Sequence, residues 1–589
     1  MENFAEQCLD MAESLLGENL ESINTDGTIK PFPNELKQKN ESGRVAFALG
    51  EYYRATNKIS LGNFDLVDLA ARTITSQLFE EASNESGIAN TALGLLSFGS
   101  AKDRNPVWER LLDDTQKKLD YQLLERSDYD NYFQAFNIAK AVSRFSLGLS
   151  KKDETGKLID KFLSRIEQNS SSNFFDNSSG EDKKISGNYD IYGSLSFIFI
   201  RQALQLHSNI NLRERKLASL RTFAEKYIKI IPEMLRSDGV GWCYGKSIGA
   251  YSQMYSISII LQAMRDGWIP AEKNDLYQFT IKKLFLNFFN SFLDLEHGYL
   301  VIRDEQRNTE GHNSNRMANF DAARYLCQWS RLIKSIGNNR SANSEIKLKK
   351  IGKFINYNKT PKIEQGIFLY RDPDSNLAFQ LPVTSPGNHE NPSSYYPFPH
   401  SPGIFDSTIN NYIPAFTPEL TFGQNVFVPA YYGKNCTTRI GLRNSLQFSY
   451  SQPEFINKEG RIINNIGSCK VNWTFKGNII TAEYIFSVKN NIKLDKFRYS
   501  VLTSKPHTKY KLMNTLKLGS NGLNYKVLKD DFQAIWKNNE NVHNDMNFRT
   551  AYGKIIKHDM LERDHPLIMR KGSQYKLEIS FEPEILSSN

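Results

Sequence analysis

The sequence lacks the features that mark several large classes of protein. It has no run of about 18 or more apolar residues, so no membrane-spanning helix is expected. Its five cysteines are widely spaced and form no CxxC pair, which favours buried thiols in a reducing compartment over a disulfide framework. No HxH, HExxH or Cys/His spacing predicts a metal site, and no phosphate loop, GxSxG elbow or dinucleotide fingerprint is present. We therefore expect no metal and no cofactor.

An excess of positive charge is present but modest. The net charge is +9, and the basic residues are scattered, without the basic run of a nucleic-acid-binding arm. We expect no nucleic-acid partner. The balance fits a mildly basic cleft for an acidic ligand, and it fits a lysine-rich solvated surface equally well.

The N-terminus, MENFAEQCLDMAESLLGENL, has neither the basic segment nor the unbroken apolar run of a signal peptide. Its apolar residues instead recur at helical spacing. We expect a cytoplasmic protein if this methionine is the natural start. A signal peptide removed upstream would make it a secreted or periplasmic one.

The organisation changes near the middle of the 589-residue chain, which is too long for one core. Up to residue 340, roughly a dozen segments such as GRVAFALGEYYRATN and LASLRTFAEKYIKIIPEML carry apolar residues at i, i+3, i+4 and i+7. They show no fixed repeat period, which favours a closed (α/α) toroid over a solenoid. Residues 341–364 are predicted to be a linker. Over 365–589 alternating patterns, with a hairpin turn at Lys476-Gly477-Asn478, predict an antiparallel β-sandwich. A long proline- and aromatic-rich loop is expected over 389–419.

One stretch, DGVGWCYGKSIGAYSQ (residues 238–253), interrupts the helical pattern with glycines and aromatics. Ser247 is a suitable N-cap for a helix that continues through IGAYSQMYSISIILQAM. Tyr251 and Tyr255 would then lie one turn apart on the same face. The stretch therefore predicts a helix that begins with an aromatic, polar mouth.

This mouth contains groups suited to proton transfer. Tyr244 and Lys246 precede the helix, and a cation close to a phenol lowers the pKa of that phenol. A helix N-terminus also stabilises an anion. We therefore predict Tyr244 or Tyr251 as a catalytic acid or base, with Trp242 and Lys246 contacting substrate. The alternative is that Trp242 and the tyrosines only plug the end of the helical domain.

A second polar helix start lies in SGNYDIYGSLSFIFIRQAL, residues 186–204. Asn188, Tyr189 and Asp190 precede a strongly apolar helix. Asn or Asp at such a position is most often only a helix cap. The neighbouring tyrosines favour a ligand-facing edge, and we predict all three residues to contact substrate.

A third such segment is DEQRNTEGHNSNRMANFDAARYL, residues 304–326. His312 lies in a loop before a helix that is expected to begin near Asn315. Histidine titrates near neutral pH and suits proton transfer, although a lone loop histidine is more often a surface residue. We predict His312 as catalytic, with Asn315 and Arg316 contacting substrate.

Two of these segments resemble a known family. DGVGWCYGKSIGAYS is similar to the YGRS signature of a bacterial family of uncharacterised toroid proteins, and NYDIYG resembles the aromatic-acidic helix start of those sequences. Lys246 stands where that family usually has arginine, so the charge is kept but a bidentate fork for a carboxylate is lost. The order of toroid and β-sandwich also looks like that of the polysaccharide lyases that cleave chondroitin, hyaluronan, heparin, alginate or glucuronan.

The resemblance implies a β-elimination on a uronic acid. In such lyases, Asn, His or Arg neutralises the uronate carboxylate, a Tyr or His removes the C5 proton, and a Tyr protonates the leaving oxygen. The resemblance implies that Tyr244 or Tyr251 acts as the acid or base and that Asn188 and Lys246 neutralise the uronate carboxylate. His312 would act as the base or as a further group that neutralises the carboxylate. The implied partner is an acidic polysaccharide or oligosaccharide.

Two other functions fit the same sequence. A glycoside hydrolase on this scaffold needs two carboxylates about 5–10 Å apart. Four acidic residues are candidates for that pair: Asp190, Asp238, Glu310 and Asp321. A non-catalytic glycan-binding protein would bind glycans without turning any over.

Overall fold

A computed structural model describes most of the chain. The described residues are 2–32, 39–81, 85–125, 131–169, 191, 193–206, 214–237, 239–242, 249–294, 296–300, 315–337, 346–359, 364–375, 377–383, 404–407, 416–429, 433–442, 445–457, 462–503, 509–512, 515–518, 523–537, 540–542 and 556–583. Helices dominate residues 2–337, called here the helical region, and strands dominate residues 346–583, called the strand region. This order of helices followed by strands is the one that the periodicity predicts.

The helical region contains thirteen α-helices among its described residues. They are α1 (Glu2–Asn19), α2 (Glu41–Thr56), α3 (Leu66–Phe79), α4 (Glu85–Phe98), α5 (Pro106–Arg110), α6 (Asp113–Leu124), α7 (Asn131–Ser146), α8 (Lys152–Asn169), α9 (Gly193–Leu206), α10 (Glu214–Met234), α11 (Ala250–Arg265), α12 (Asn274–Phe292) and α13 (Asn315–Ile336). The start of α13 at Asn315 confirms the sequence prediction. Helix α11 begins later than predicted, because its N-cap is Gly249 and not Ser247.

Six of these helices, called the inner helices, form a closed circuit of contacts. In order they are α2, α4, α7, α9, α11 and α13, and α13 packs in turn against α2. The other helices pack outside this circuit, for example α1 on α13, α3 on α2, α8 on α7 and α12 on α11. Most inner helices are apolar on several sides, since each is covered by two inner neighbours and an outer helix.

Glycines allow two inner helices to approach closely. A Cβ on Gly50 of α2 would lie 2.4 Å from the carbonyl oxygen of Gly94 on α4, and one on Gly43 would lie 2.5 Å from that of Gly87. Both contacts fall seven residues apart on each helix, so α2 and α4 run parallel with matched turns. Any larger side chain at this crossing would push the two backbones apart.

The described residues contain twenty-six short strands. They are β1 (Ser60–Leu61), β2 (Phe64–Asp65), β3 (Leu293–Asp294), β4 (Tyr299–Leu300), β5 (Ile351–Lys359), β6 (Glu364–Asp372), β7 (Leu377–Val383), β8 (Ile404–Ser407), β9 (Phe416–Phe422), β10 (Asn425–Phe427), β11 (Lys434–Ile440), β12 (Leu446–Gln452), β13 (Phe455–Ile456), β14 (Ile462–Ile463), β15 (Gly467–Lys476), β16 (Ile479–Val488), β17 (Ile492–Leu494), β18 (Lys496–Thr503), β19 (Lys509–Leu512), β20 (Thr515–Leu518), β21 (Leu523–Asp530), β22 (Ile535–Trp536), β23 (Glu540–Val542), β24 (Ile556–Arg563), β25 (Leu567–Met569) and β26 (Gln574–Pro583).

All described pairings in the strand region are antiparallel. The larger sheets have the orders β5-β6-β7-β8, β10-β9-β18-β24-β22 with β23 on β24, and β11-β12-β15-β16-β26-β21-β20-β19. The hairpin between β15 and β16 turns over Gly477 and Asn478, with Lys476 paired to Ile479. Sequence alternation predicts this hairpin, and the register confirms it.

Strand β6 is buried on both faces and joins the two regions. Ile367 and Leu369 belong to the core of the helical region, whereas Phe368 and Tyr370 belong to the core of the sheets. The Phe368 ring stacks on Phe448 with centroids 4.4 Å apart, which packs the four-stranded sheet on the eight-stranded one. The alternation along one strand therefore supplies both cores.

Arg371, the next inward-facing residue of β6, fixes the end of a helix. Its Nη1 donates to the carbonyl oxygens of Pro232, Glu233 and Leu235 at distances of 3.0, 3.2 and 2.6 Å. These carbonyls lie at the C-terminal end of α10, where intrahelical donors run out. A buried cation thus satisfies acceptors that the helix itself leaves open.

Two segments differ from the sequence prediction. Residues 351–359, inside the segment predicted as a linker, form β5, which pairs with β6. The predicted loop over 389–419 contains β8 and the start of β9, while residues 384–403 and 408–415 lie outside the described part of the chain. In both cases strand pairing overrides a local composition rich in Lys, Asn or Pro.

No described helix is both long and apolar enough to cross a membrane. Four of the five cysteines are described, and each is a free thiol. Cys8 and Cys327 are fully buried, and burial raises the pKa of both thiols. These two are packing residues in the core of the helical region.

Candidate functional site

A buried carboxylate connects three inner helices near their N-terminal ends. Asp321, 1% exposed, lies in the second turn of α13. Its Oδ2 accepts a hydrogen bond from Arg44 Nη1 of α2 at 2.5 Å and one from the Tyr251 hydroxyl of α11 at 3.1 Å. We call these three residues, with Arg324, the Asp321 cluster.

Arg324 completes the cluster one helical turn beyond Asp321. Its Nη2 lies 3.3 Å from Asp321 Oδ1, and its guanidinium stacks over the rings of Phe47 and Tyr325 at 4.8 and 4.2 Å. Burial alone would lower the pKa of Arg324, but Tyr325 and Asp321 outweigh burial and raise it. The cluster therefore holds two cations around one carboxylate, with little contact with water.

Tyr251 keeps its proton in this environment. Burial, followed by the negative charge of Asp321, raises its pKa well above the ordinary value, and nearby Arg44 only partly offsets this. This direction is opposite to the one expected for a tyrosine at the helix mouth beside Lys246. At neutral pH the phenol is therefore protonated, and its hydrogen is directed to Asp321 Oδ2.

The polar side chains meet because neighbouring inner helices are parallel. Asp321 and Trp329 of α13 bond to Tyr251 and Ser258 of α11, respectively, so the two helices advance together. The same holds for α13 and α2, where Arg331 pairs with Glu51 a few turns beyond the Arg44 contact. The N-terminal ends of α2, α11 and α13 therefore lie together, and their partial positive charges favour an anion at that end.

Tyr251 and Tyr255 share one face of α11, as predicted. Their ring centroids are 6.0 Å apart, and Tyr255 also contacts Tyr325 edge-on at 6.1 Å. All three rings are buried. They form an aromatic layer next to Asp321.

Most of the predicted site residues lie outside the described part of the chain. These are Asn188, Tyr189, Asp190, Tyr244, Lys246 and His312, and the side chain of Asn315 joins them. The helices that these segments enter are described: α9 packs on α11, and α11 on α13. The three entry segments thus lead into adjoining helices, and their convergence stays a prediction.

Trp242 is described and lies in the core. Its side chain is 1% exposed, and its ring centroid is 6.1 Å from that of Tyr227 on α10. Its carbonyl accepts a hydrogen bond from Ser252 in the first turn of α11. The indole anchors the segment before α11, and its predicted contact with substrate stays a prediction.

Arg316 faces a different neighbour from the Asp321 cluster. Its Nη1 donates to Asn19 Oδ1 at 2.7 Å, and its guanidinium lies 3.7 Å from the centre of the Phe32 ring. Asn319 donates to the same Asn19 oxygen at 2.9 Å. Arg316 and Asp321 are five positions apart, which is about 140° around a helix. The structure therefore does not bring Arg316 to Tyr251.

Of the four carboxylates considered for hydrolysis, only Asp321 is described. It is the counter-ion of two arginines and an acceptor for a tyrosine, a role that leaves it poorly suited to attack a sugar or protonate one. Among the described residues, no group of three or more His, Cys, Asp or Glu side chains could hold a metal ion.

Sequence reasoning missed Arg44 and Arg324. Arg44 follows Gly43 and precedes the apolar run 45–49 of α2, and Arg324 lies between Ala323 and Tyr325 on the buried side of α13. A charged residue on a buried helix face is a signal for a partner or a ligand, because an unpaired charge there is costly. That signal was available from the helical spacing alone.

Comparison with known proteins supports the fold. No family model matches the chain, and no curated protein matches its sequence. A solved structure entitled "Crystal Structure of Heparinase III" is similar over 96% of this chain and 81% of its own, with 8% identity and a TM-score of 0.52. A chondroitinase AC lyase in oligosaccharide complexes matches with 12% identity over 100% and 83% of the two chains, at a TM-score of 0.45. A heparan sulfate lyase HepC mutant from Pedobacter heparinus is 10% identical, over 100% of this chain and 90% of its own, with a TM-score of 0.36. At such low identity the likeness to heparinase III concerns the fold alone.

Proposed function

We propose that this chain is a polysaccharide lyase that cleaves a uronic-acid-containing glycan by β-elimination. In this proposal the inner and outer helices form an (α/α) toroid, the packed sheets form a β-sandwich, and the domains comprise residues 1–340 and 365–589. The substrate would enter at the N-terminal ends of the inner helices. The fold shared with the heparinase III structure is consistent with this assignment.

The Asp321 cluster is the observation that carries the proposal. β-Elimination needs a group that gives a proton to the leaving oxygen and positive charge that favours the uronate and its developing enolate. Tyr251 keeps its proton, and the helix ends around it are electropositive. Asp321, by contrast, is occupied by Arg44 and Arg324, which argues against its use as a hydrolase carboxylate.

The remaining roles follow the chemistry of the reaction. A base, Tyr244 or His312, takes the C5 proton while Asn188 and Lys246 neutralise the adjacent carboxylate. The C4–O bond then breaks, and a phenol, Tyr244 or Tyr251, gives its proton to the departing oxygen. The product carries a C4=C5 double bond conjugated to the carboxylate, and no water enters the bond that is cut.

The direct test is incubation of the full chain with hyaluronan, chondroitin sulfate, heparan sulfate, alginate and polygalacturonate. Chain length and ultraviolet absorbance of the conjugated product are followed together. We expect one substrate to shorten with a matching rise in absorbance. Shortening without absorbance would identify a hydrolase and refute the proposal, as would glycan binding without turnover of any substrate.

Variants separate a chemical role from a structural one. Tyr244→Phe and His312→Ala are each expected to lower kcat by about a hundredfold or more, the usual size of an acid-base contribution. Tyr121→Phe, at an exposed tyrosine of α6, is the matched control and should leave kcat unchanged. Equal activity in Tyr244→Phe, His312→Ala and the control would exclude both residues from the reaction.

A further inference from the structure

A basic groove lies on the outside of the helical region, where α10, α12 and β5 meet. Its volume is about 380 Å³. Four lysines and one glutamate line it: Lys226, Lys229, Lys273, Lys353 and Glu233. This leaves a net excess of three positive charges around one short depression, although positive charge over the whole chain is only in modest excess.

The groove is formed by elements that pack firmly. Tyr277 of α12 closes its floor and donates to the Ile228 carbonyl of α10 at 3.2 Å. Lys353 of β5 reaches Glu233 Oε1 at 2.6 Å, which ties the strand to the helix. Lys229 is itself paired with Glu225 Oε2 at 3.0 Å, just outside the lining. The Lys229 and Lys353 side chains nevertheless remain 63% and 47% exposed, and Lys273 is also exposed, so their ammonium groups stay accessible from solvent.

We propose that this groove is a second binding site for the acidic polysaccharide, which holds a stretch of the chain outside the helix mouth. The site rests on the proposed function only for the identity of the ligand. Lysine ammonium groups are point charges that suit carboxylates and sulfates without demanding one geometry. A groove of this volume takes a short piece of a single extended chain.

The lining favours a glycan over a single-stranded nucleic acid. Sites for single-stranded nucleic acid combine positive charge with exposed aromatic rings on which bases stack. The aromatic residue in this lining is Tyr277, which is 4% exposed and cannot stack with a base. Charge without a stacking platform suits a sugar chain that carries anionic groups.

The groove is also connected to the candidate site through the chain. Glu233 ends the groove, and residues 234–242 lead from it to the segment before α11. This connection is held by Gln380, whose Nε2 reaches the carbonyls of Met234 and Gly241, each at 3.4 Å. We therefore expect a polymer bound at the mouth to extend towards the groove, and a tetrasaccharide to occupy the mouth alone.

The test is equilibrium binding of the full chain to polygalacturonate and to heparin, with dextran as the neutral control. The groove variant is Lys229→Gln/Lys273→Gln/Lys353→Gln. We expect it to bind both polyanions about tenfold more weakly, because three exposed charge contacts are lost together. The affinity should also depend less steeply on salt concentration. Dextran binding should not change.

A matched variant controls for the loss of charge itself. It is Lys476→Gln/Lys526→Gln/Lys571→Gln, at three exposed lysines of the strand region, and it should alter affinity less than twofold. Equal weakening in both triple variants, or none in the groove variant, would overturn the proposal. Glu233→Gln provides a test of opposite sign, because removal of the one lining carboxylate should strengthen binding about twofold.

The outcome can be separated from that of the proposed function. Binding is measured without turnover, so groove-dependent binding in a chain that cleaves nothing would support the groove and refute the lyase. If the chain does cleave, the groove variant should raise KM for the polymer and leave kcat for a tetrasaccharide unchanged. Tighter binding of duplex DNA than of either glycan, lost in the same variant, would overturn the choice of ligand.

Discussion

Removal of the charge on Asp321 should destabilise the protein far more than an ordinary surface substitution. In Asp321→Asn the amide keeps the shape of the side chain, but Arg44 and Arg324 lose their shared counter-ion. Their side chains are 15% and 4% exposed, so water can do little to replace it. Breaking a buried pair in this way costs about 3–5 kcal/mol, and the partial exposure of Arg44 places the expected loss near the lower end, about 3 kcal/mol.

This loss corresponds to a measurable shift in melting temperature. Unfolding entropy is about 2.1 cal/mol/K per residue, or about 0.7 kcal/mol/K for a cooperative unit the size of the helical region. A loss of about 3 kcal/mol then lowers Tm by about 4 °C. Tyr251→Phe removes one hydrogen bond to a charged acceptor, which is about 1.5–2 kcal/mol and a shift of about 2–3 °C.

Scanning calorimetry of the two single variants and the double variant checks the reasoning. Because the Tyr251 hydroxyl bonds to Asp321 itself, the double variant should lose about 1 kcal/mol less than the sum of the single losses. The control is Asp10→Asn, at an exposed carboxylate of α1, and it should shift Tm by less than about 1 °C.

Two results would refute this account of Asp321. One is a Tm for Asp321→Asn no lower than that of Asp10→Asn, which would mean that the arginines do not depend on the carboxylate. The other is an unchanged Tm together with complete loss of glycan cleavage. That combination would make Asp321 a reacting carboxylate and would favour a hydrolase.

Three further predictions concern stability. Arg331 and neighbouring positive charge outweigh burial and lower the pKa of Glu51 in the folded protein. Its ionised form therefore stabilises the protein above the unfolded pKa of about 4.3, and this stabilisation is lost as the pH falls through the lower folded pKa. Denaturant midpoints of wild type and Glu51→Gln should therefore differ at pH 7 and converge in acid, and a constant difference would contradict the linkage. Arg371→Ala should lower stability by about 2–4 kcal/mol and speed amide exchange near the end of α10, while unchanged exchange there would mean that the carbonyls find other donors. Gly50→Ala should lower the free energy of unfolding by about 1–3 kcal/mol, because the new Cβ would push α2 from α4. A Cβ at Gly17 would meet nothing within 4 Å, so Gly17→Ala should raise the free energy of unfolding by about 0.5–1 kcal/mol, and calorimetry measures both.

Local patterns were enough to predict the order of helices and strands. The helical spacing of GRVAFALGEYYRAT places α2, and the alternation around Gly477 places the β15–β16 hairpin with its turn. Both signals lie within about ten to twenty residues of sequence, where the period of the apolar residues reports directly on the element. Strand β5 was missed because pairing with β6 stabilises a segment whose own composition is typical of a linker.

The candidate site was less accessible from the sequence because its contacts are long-range. Arg44 and Asp321 are 277 positions apart, and nothing in either neighbourhood indicates the other. The pKa of Tyr251 shows the same limit. Proximity in sequence to Lys246 predicted a lowered value, whereas burial and Asp321, neither visible in local sequence, raise it.

Strand β6, with one face in each core, also sets the register between the helical region and the strand region. Shifting its register by one residue would turn Phe368 and Tyr370 towards the helices and Ile367 and Leu369 towards the aromatic sheet. Such a slip would also withdraw Arg371 from the end of α10. A shift in the pairing register of β6 would therefore disrupt the sheet core, the helical core and the Arg371 contacts together. These three contacts fix the position of the sheets relative to the helices to within a single residue.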